Sequence, residues 1–365
     1  MKCFLSFLFF AAFFSGLFFV SSCSQEKDDN SFYFDRGAML AHYYDHLIMP
    51  SFADLAQQSS RLREAVDTLL LYPSVPHLLN AQQAWRETAI AFQAVSCFHF
   101  GPAEQATGSL LENQGTFPAS VNKIEQYILA GDFSLQNFDR DSRGLYGMDY
   151  LLFHDSLSAL LSEFNQQPAR LLYLKAIAQH TETEAAAVYA GWGSHRNEFI
   201  SATGIDAGSS TSLLYNHFLM AYEHCKNIQL GLPLGLRVGQ TQTAPGLVMG
   251  LYSGTSLLLL RRQIETLQGV YAGTDAGGND GIGWDDYLRK ISGGESLDQQ
   301  ISERLVAINN LVLLAGEDRM DTMILAGDTR LPAIYSAMQQ AIYLVKSEMS
   351  SLMGISITYA SGDGD

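Results

Sequence analysis

From residue 34 onward, apolar residues recur every three or four positions rather than every second one, and this periodicity restricts the chain to helices packed on helices. In the first stretch Met39, Leu40, Tyr43, Leu47, Phe52, Leu55, Leu62, Val66 and Leu69 fall at helical spacing. Pro50 lies inside the pattern, and its missing N–H and fixed φ predict a kink or restart there. Pro73 and Pro76 close the segment. Pro76 is placed to open a second helix as its first residue, which carries Leu79, Trp85, Ile90, Phe92 and Val95 and stops at Gly101-Pro102.

The same reading continues downstream. Residues 103–118, rich in Gly, Gln, Asn and Thr, are expected to form an irregular connection, and 121–129 a short helix ended by Gly131. Residues 145–164 read as one apolar helix and 171–189 as an alanine-rich continuation. Residues 191–210 are the most loop-like stretch of the middle and set a boundary between two bundles, 34–200 and 201–365. Further helices are expected over 213–228, 245–271 (weakened by Gly250 and Gly254), 284–290, 297–314 and 332–352. A turn at 231–235, a mobile glycine loop at 273–283 and a strand-like run at 355–359 separate or follow them. The class is all-α, as two helical bundles packed side by side.

Ahead of this body, Lys2 precedes an uncharged, proline-free apolar run from Phe4 to Val20, the shape of a signal peptide over residues 1–22. A span of this length is at the short end of what crosses a bilayer, the alternative being an uncleaved anchor. Val20-Ser21-Ser22-Cys23 resembles the lipobox of bacterial lipoproteins, which implies cleavage before Cys23 and acylation of its sulfur. Residues 23–33 then form a polar, lipidated tether. Within it Lys27-Asp28-Asp29 resembles the surface-export signal of Bacteroidetes lipoproteins. The expected location is the outer membrane, on its periplasmic face or at the cell surface.

Cleavage would remove only one charged residue, Lys2, so the formal charge of -16 becomes -17. An acidic body with no clustered Lys and Arg argues against nucleic acid as a partner. Of four cysteines, Cys3 would leave with the signal and Cys23 would be acylated. Cys97 and Cys225 remain, as two buried thiols or one bridge, and no Cys-x-x-Cys pair is present for structural zinc.

Three segments of the first half stand in order: His46-Leu47-Ile48-Met49-Pro50-Ser51-Phe52; Trp85-Arg86-Glu87 leading to Phe98-His99-Phe100-Gly101-Pro102; and Phe117-Pro118 with Ile124-Glu125-Gln126-Tyr127-Ile128. They resemble the imelysin-like proteins, a family of exported bacterial proteins also grouped among peptidases as M75. In the second half, Lys226 with Leu232-Pro233-Leu234-Gly235, Tyr252-Ser253-Gly254-Thr255-Ser256-Leu257 and Val270-Tyr271-Ala272-Gly273 match. The close, Leu352 to Tyr359 and Asp363-Gly364-Asp365, is similar to the Bacteroidetes branch. The resemblance implies two helical bundles related by an ancient duplication, with a cleft at their junction.

The family's Gly-x-His-x-x-Glu motif corresponds to Gly144, Tyr146 and Asp149, so tyrosine replaces histidine and aspartate replaces glutamate. Positions three apart on a helix share a face. A phenol binds metal well only as phenolate, which makes this pair either an altered site, with Tyr146 packed or hydrogen-bonded to Asp149, or an all-oxygen site for a hard ferric ion. Trp85, Arg86, Ser253 and Ser256 join the motif as candidate ligand-binding residues, with core anchoring favoured for Trp85 and packing or ligand hydrogen bonds for the serines.

His42, Asp45 and His46 have ligand-like spacing on the first helix, although no His-Glu-x-x-His occurs anywhere. His217 and His224 beside Glu223 read as histidines at the edge of a core. No catalytic residue is assigned. The resemblance implies a cell-envelope ligand-binding lipoprotein connected with iron or haem acquisition; the alternatives are an M75-type metallopeptidase and an adhesion or assembly protein without a small ligand. Iron is the cofactor the resemblance suggests, and an envelope uptake component the partner.

Overall fold

The computed structural model describes residues 34–104, 108–136 and 138–359. The signal peptide, Cys23, the tether and Asp363-Gly364-Asp365 lie outside the described residues. Asp35 caps the first helix by accepting the Ala38 N–H at 2.9 Å. The chain then runs through α1 (Arg36–His42), a π-helical turn (Tyr43–Ile48) and α2 (Met49–Leu71). The helices α3 (Val75–Ala94), α4 (Leu110–Gly115), α5 (Val121–Ala130), α6 (Gly144–Phe153), α7 (Leu157–Gln166) and α8 (Ala169–Ser201) complete the first half.

The second half begins with α9 (Ser210–His224), a second π-helical turn (Cys225–Gly231) and the short α10 (Leu232–Leu234). It continues through α11 (Ser256–Ala272), α12 (Trp284–Arg289), α13 (Gly294–Ala315), α14 (Met320–Leu325) and α15 (Arg330–Tyr343). A third π-helical turn (Leu344–Glu348) and α16 (Met349–Met353) end it. No β-strand occurs among the described residues, and the class is all-α. α2 packs between α3 and α8, α13 packs on α11 and α15, and α3 lies against α11. From Phe34 on, the chain clusters as one compact unit.

Four local expectations need correction, and the irregularity expected at Pro50 takes the form of a π-helical turn ahead of α2. A proline inside a helix leaves the carbonyl four residues back without its N–H, and the π-helical turn just upstream takes up the misfit, with the Met49 N–H reaching Tyr44 O. Residues 191–201 are not loop but the last turns of α8. Trp192 is fully buried there, edge-on to Phe100 and Phe199, and burying its indole outweighs the helix penalty of the flanking glycines. Gly191 has its own reason: a Cβ would come within 2.9 Å of Pro102.

The expected helix over 245–271 begins only at Ser256, because Gly250 (φ +66°) and Gly254 (φ +70°) are left-handed joints of an irregular loop. The expected helix over 145–164 breaks after Phe153, where Ser156 caps α7 by accepting the Ala159 N–H. The strand-like run at 355–359 pairs with no other strand. Instead, its Thr358 N–H donates to Asn216 Oδ1 and its Ser356 carbonyl accepts from Asn216 Nδ2.

Candidate functional site

The motif helix α6 is fixed by its main chain. Gly144 opens it at φ +69°, and a Cβ there would lie 2.7 Å from Gln114 O and 2.8 Å from Asn113 O, so glycine is required. Two side chains of α3 bond the carbonyls of α6: Trp85 Nε1 donates to Leu145 O at 2.9 Å and Gln82 Nε2 to Leu152 O at 2.6 Å. Tyr173 OH donates to Ser142 O just ahead of the helix. Trp85 is therefore a core anchor, packed edge-on against Phe153.

Asp149 is 2% exposed and is reached by the irregular loop between α10 and α11. The Tyr252 N–H donates to Oδ2 and the Ser253 N–H to Oδ1, each at 3.0 Å. Ser253 Oγ itself bonds Gly250 O and Thr255, and Arg319 holds the same loop through Leu251 O at 2.7 Å. A carboxylate of one half is thus clasped by backbone amides of the other. Burial pushes its pKa up to about 6, against the pull of the Ser253 and Tyr252 hydrogen bonds and the Arg319 charge. Arg86 lies over the Phe153 ring at 4.9 Å; burial lowers its pKa and the nearby Asp149 charge opposes that. Ser256 is buried at the start of α11, three residues beyond the clasp, and is not bonded to Asp149.

Tyr146 is 5% exposed and packs edge-on against Phe117. Its hydroxyl donates to Met249 Sδ at 3.0 Å rather than to Asp149. Burial drives the phenol well above its usual pKa range, opposed by a hydrogen bond with Gln93. A ferric phenolate would need this proton removed from a buried phenol, and the hydroxyl is turned to Met249 while each Asp149 oxygen already accepts one main-chain N–H. The pair does not fit an ion in this arrangement. Among the described residues, no three His, Cys, Asp or Glu side chains are grouped to hold a metal.

The first-helix trio is not brought together. A π turn holds more residues per turn, so residues four apart stack while the one between turns away. His42 and His46 stack at 4.8 Å, His42 bonds Gly273 O, and Asp45 pairs with Arg196 at 2.6 Å. Cys97 and Cys225 are both buried and free.

The imelysin family (peptidase M75) matches residues 48–338. The chain belongs to the imelysin family. Among relatives, iron-regulated protein A of Synechococcus elongatus is 28% identical over 118 residues, which is 30% of each chain, so the match spans about a third of that relative's length. Two solved structures share the imelysin fold. A protein described as an iron-regulated protein A precursor from Parabacteroides distasonis aligns with TM-score 0.71 at 17% identity, over 87% of this chain and 95% of that one. An imelysin-like protein from Psychrobacter arcticum aligns with TM-score 0.70 at 16% identity, over 89% and 97%.

Sequence reasoning missed what surrounds the imelysin motif. The clasp is made of backbone amides, which leave no side-chain signature. His99 was visible only as part of an aromatic exit from the second helix, yet with His217 and His224 it lines a cavity of about 130 Å³ that also reaches Tyr146. The interval of seven between His217 and His224 was the one available signal for that grouping.

Proposed function

We propose that this chain is a cell-envelope ligand-binding lipoprotein, anchored through Cys23 and connected with iron or haem acquisition. Its motif site is altered from a ligating pair into a structural clasp. The observation that carries the alteration is the Tyr146 hydroxyl turned to Met249 and away from Asp149, whose oxygens accept the Tyr252 and Ser253 amides instead. A metallopeptidase needs metal ligands, a base and open coordination positions converging in one cleft, and no three His, Cys, Asp or Glu side chains converge among the described residues. The link to iron is supported by relatives named for iron regulation.

The site is tested by calorimetric titration with ferric citrate, ferrous iron and zinc. The unaltered protein should show no micromolar binding, while Tyr146→His with Asp149→Glu should gain zinc or ferrous affinity, because imidazole favours those ions. Micromolar zinc binding by the unaltered protein, lost in Asp149→Ala, would restore the peptidase reading. The anchor is tested separately: Cys23→Ala should abolish metabolic palmitate labelling, and continued labelling would refute the lipoprotein. The iron connection fails if neither expression nor growth of a deletion strain responds to iron or haem limitation.

A further inference from the structure

The cavity beside Tyr146 lies where α3, α4, α6, α9 and α11 meet, and Asp149 does not extend into it. His99 enters from the turn after α3, His217 and His224 from α9, and Gln263 from α11. His99 is 6% exposed, and neither of its ring nitrogens has a hydrogen-bond partner. His217 and His224, both half-buried, also make no hydrogen bond within the protein.

Each neutral imidazole presents one N–H donor and one acceptor nitrogen. Both ring nitrogens of His99 are buried and unpaired, which calls for an occupant, and His217 and His224 at the half-buried edge offer that occupant further open nitrogens. The chemistry of the walls narrows what that occupant is. No Asp or Glu lines the cavity to balance a cation, and the imidazoles are not grouped to share an ion. No Lys or Arg lines it to balance an anion. Burial also holds the histidines neutral, with pKa values lowered to about 3 for His99 and about 4 for His217 and His224.

What remains is an uncharged molecule, and the volume matches one ring, since a cavity of about 150 Å³ takes up benzene. Phe92 and Tyr146 offer aromatic surface to such a ring. A hydroxyl donates and accepts at once, the complement of an open imidazole. We propose that this cavity binds a small, uncharged hydroxylated aromatic of the phenol class, its ring against Phe92 and Tyr146 and its hydroxyl on the open nitrogens of His99, His217 or His224. The inference rests on the chain being a binding protein and not on its connection with iron, so phenol binding stands even where iron limitation proves irrelevant.

The test is calorimetric titration of the purified full-length protein with phenol and with benzene, alongside NMR of ¹⁵N-labelled histidine rings. Phenol should bind with Kd between about 10 μM and 1 mM, within the range for a ligand of its size, and shift histidine resonances. Benzene should bind at least tenfold more weakly, and His99→Phe should lose at least tenfold in phenol affinity. Where His99→Phe does not fold, His217→Gln and His224→Gln at the half-buried edge should each weaken phenol several-fold. The phenol-to-benzene ratio of the unaltered protein decides in any case. Silent titrations with unmoved histidine resonances, meaning a cavity that holds water only, overturn the proposal. So do equal affinities for benzene and phenol, unchanged binding by the histidine variants, or displacement of phenol by zinc.

Discussion

At Gly144 the backbone itself is the constraint. A side chain there would meet two carbonyl oxygens at 2.7–2.8 Å while φ is held at +69°, and neither backbone has a flexible end to yield. Gly144→Ala should therefore destabilise the fold by about 3 kcal/mol or more, combining left-handed strain with displacement of α4 from α6. Urea unfolding measures it; a loss under about 1 kcal/mol would mean that α6 is not seated as described. Tyr146 illustrates the opposite case, in which residue identity decides chemistry rather than fold. Burial makes its phenol harder still to ionise than a free one, and its hydroxyl rests on a thioether, a weak acceptor.

Among elements, the loop between α10 and α11 is the one whose geometry the motif depends on. Gly254→Ala puts a Cβ 2.7 Å from Arg319 Nη1 at a backbone angle alanine resists. Arg319 can swing, but the loop it holds through Leu251 O should shift with it. Hydrogen exchange should then report the amides of Tyr252 and Ser253 as slow in the parent and at least tenfold faster in Gly254→Ala; equal protection in both would show that the clasp does not depend on this joint. The helices themselves were legible because a buried stripe every three or four residues survives in sequence, as from Met39 to Leu69. The loop was not legible, since Gly250 and Gly254 look like flaws in a helix until their left-handed φ is known. Nor was the end of α8, where Gly191 and Gly193 flank a tryptophan whose burial only tertiary packing reveals. Two π turns tell the same story: each ends two residues before a proline, Ile48 before Pro50 and Gly231 before Pro233. The prolines were visible and the slack that accommodates them was not.

For the whole molecule, the buried titrating groups set the response to acid. Four histidines, His99, His180, His217 and His224, are held by burial at about 3 to about 4, below an unfolded value near 6.5. Their contribution is present above about pH 6.5 and is lost as pH falls toward 4. Asp149 and Asp285 are raised by burial to about 6, so their contribution is present below about pH 4 and is lost as pH rises through 6. Between these limits these six groups together leave the unfolded chain about two more protons than the folded one, with Glu184, also raised by burial, subtracting from that, and stability should climb with pH by roughly 1–3 kcal/mol per unit. Urea midpoints at pH 4.5, 5.5 and 6.5 check this, and a flat or falling trend would contradict it. His99→Phe should lower the slope by about one proton.

The bonds that Gln82 and Trp85 make to the carbonyls of α6 also bear on how such a protein changes over generations. Because the helix is gripped by its main chain, its seat does not depend on which side chain stands at 146. A lineage can exchange the motif histidine for tyrosine without dismantling the framework around it. Binding chemistry at that position is then free to drift while the architecture persists, which is how a family comes to share a fold more faithfully than a ligand.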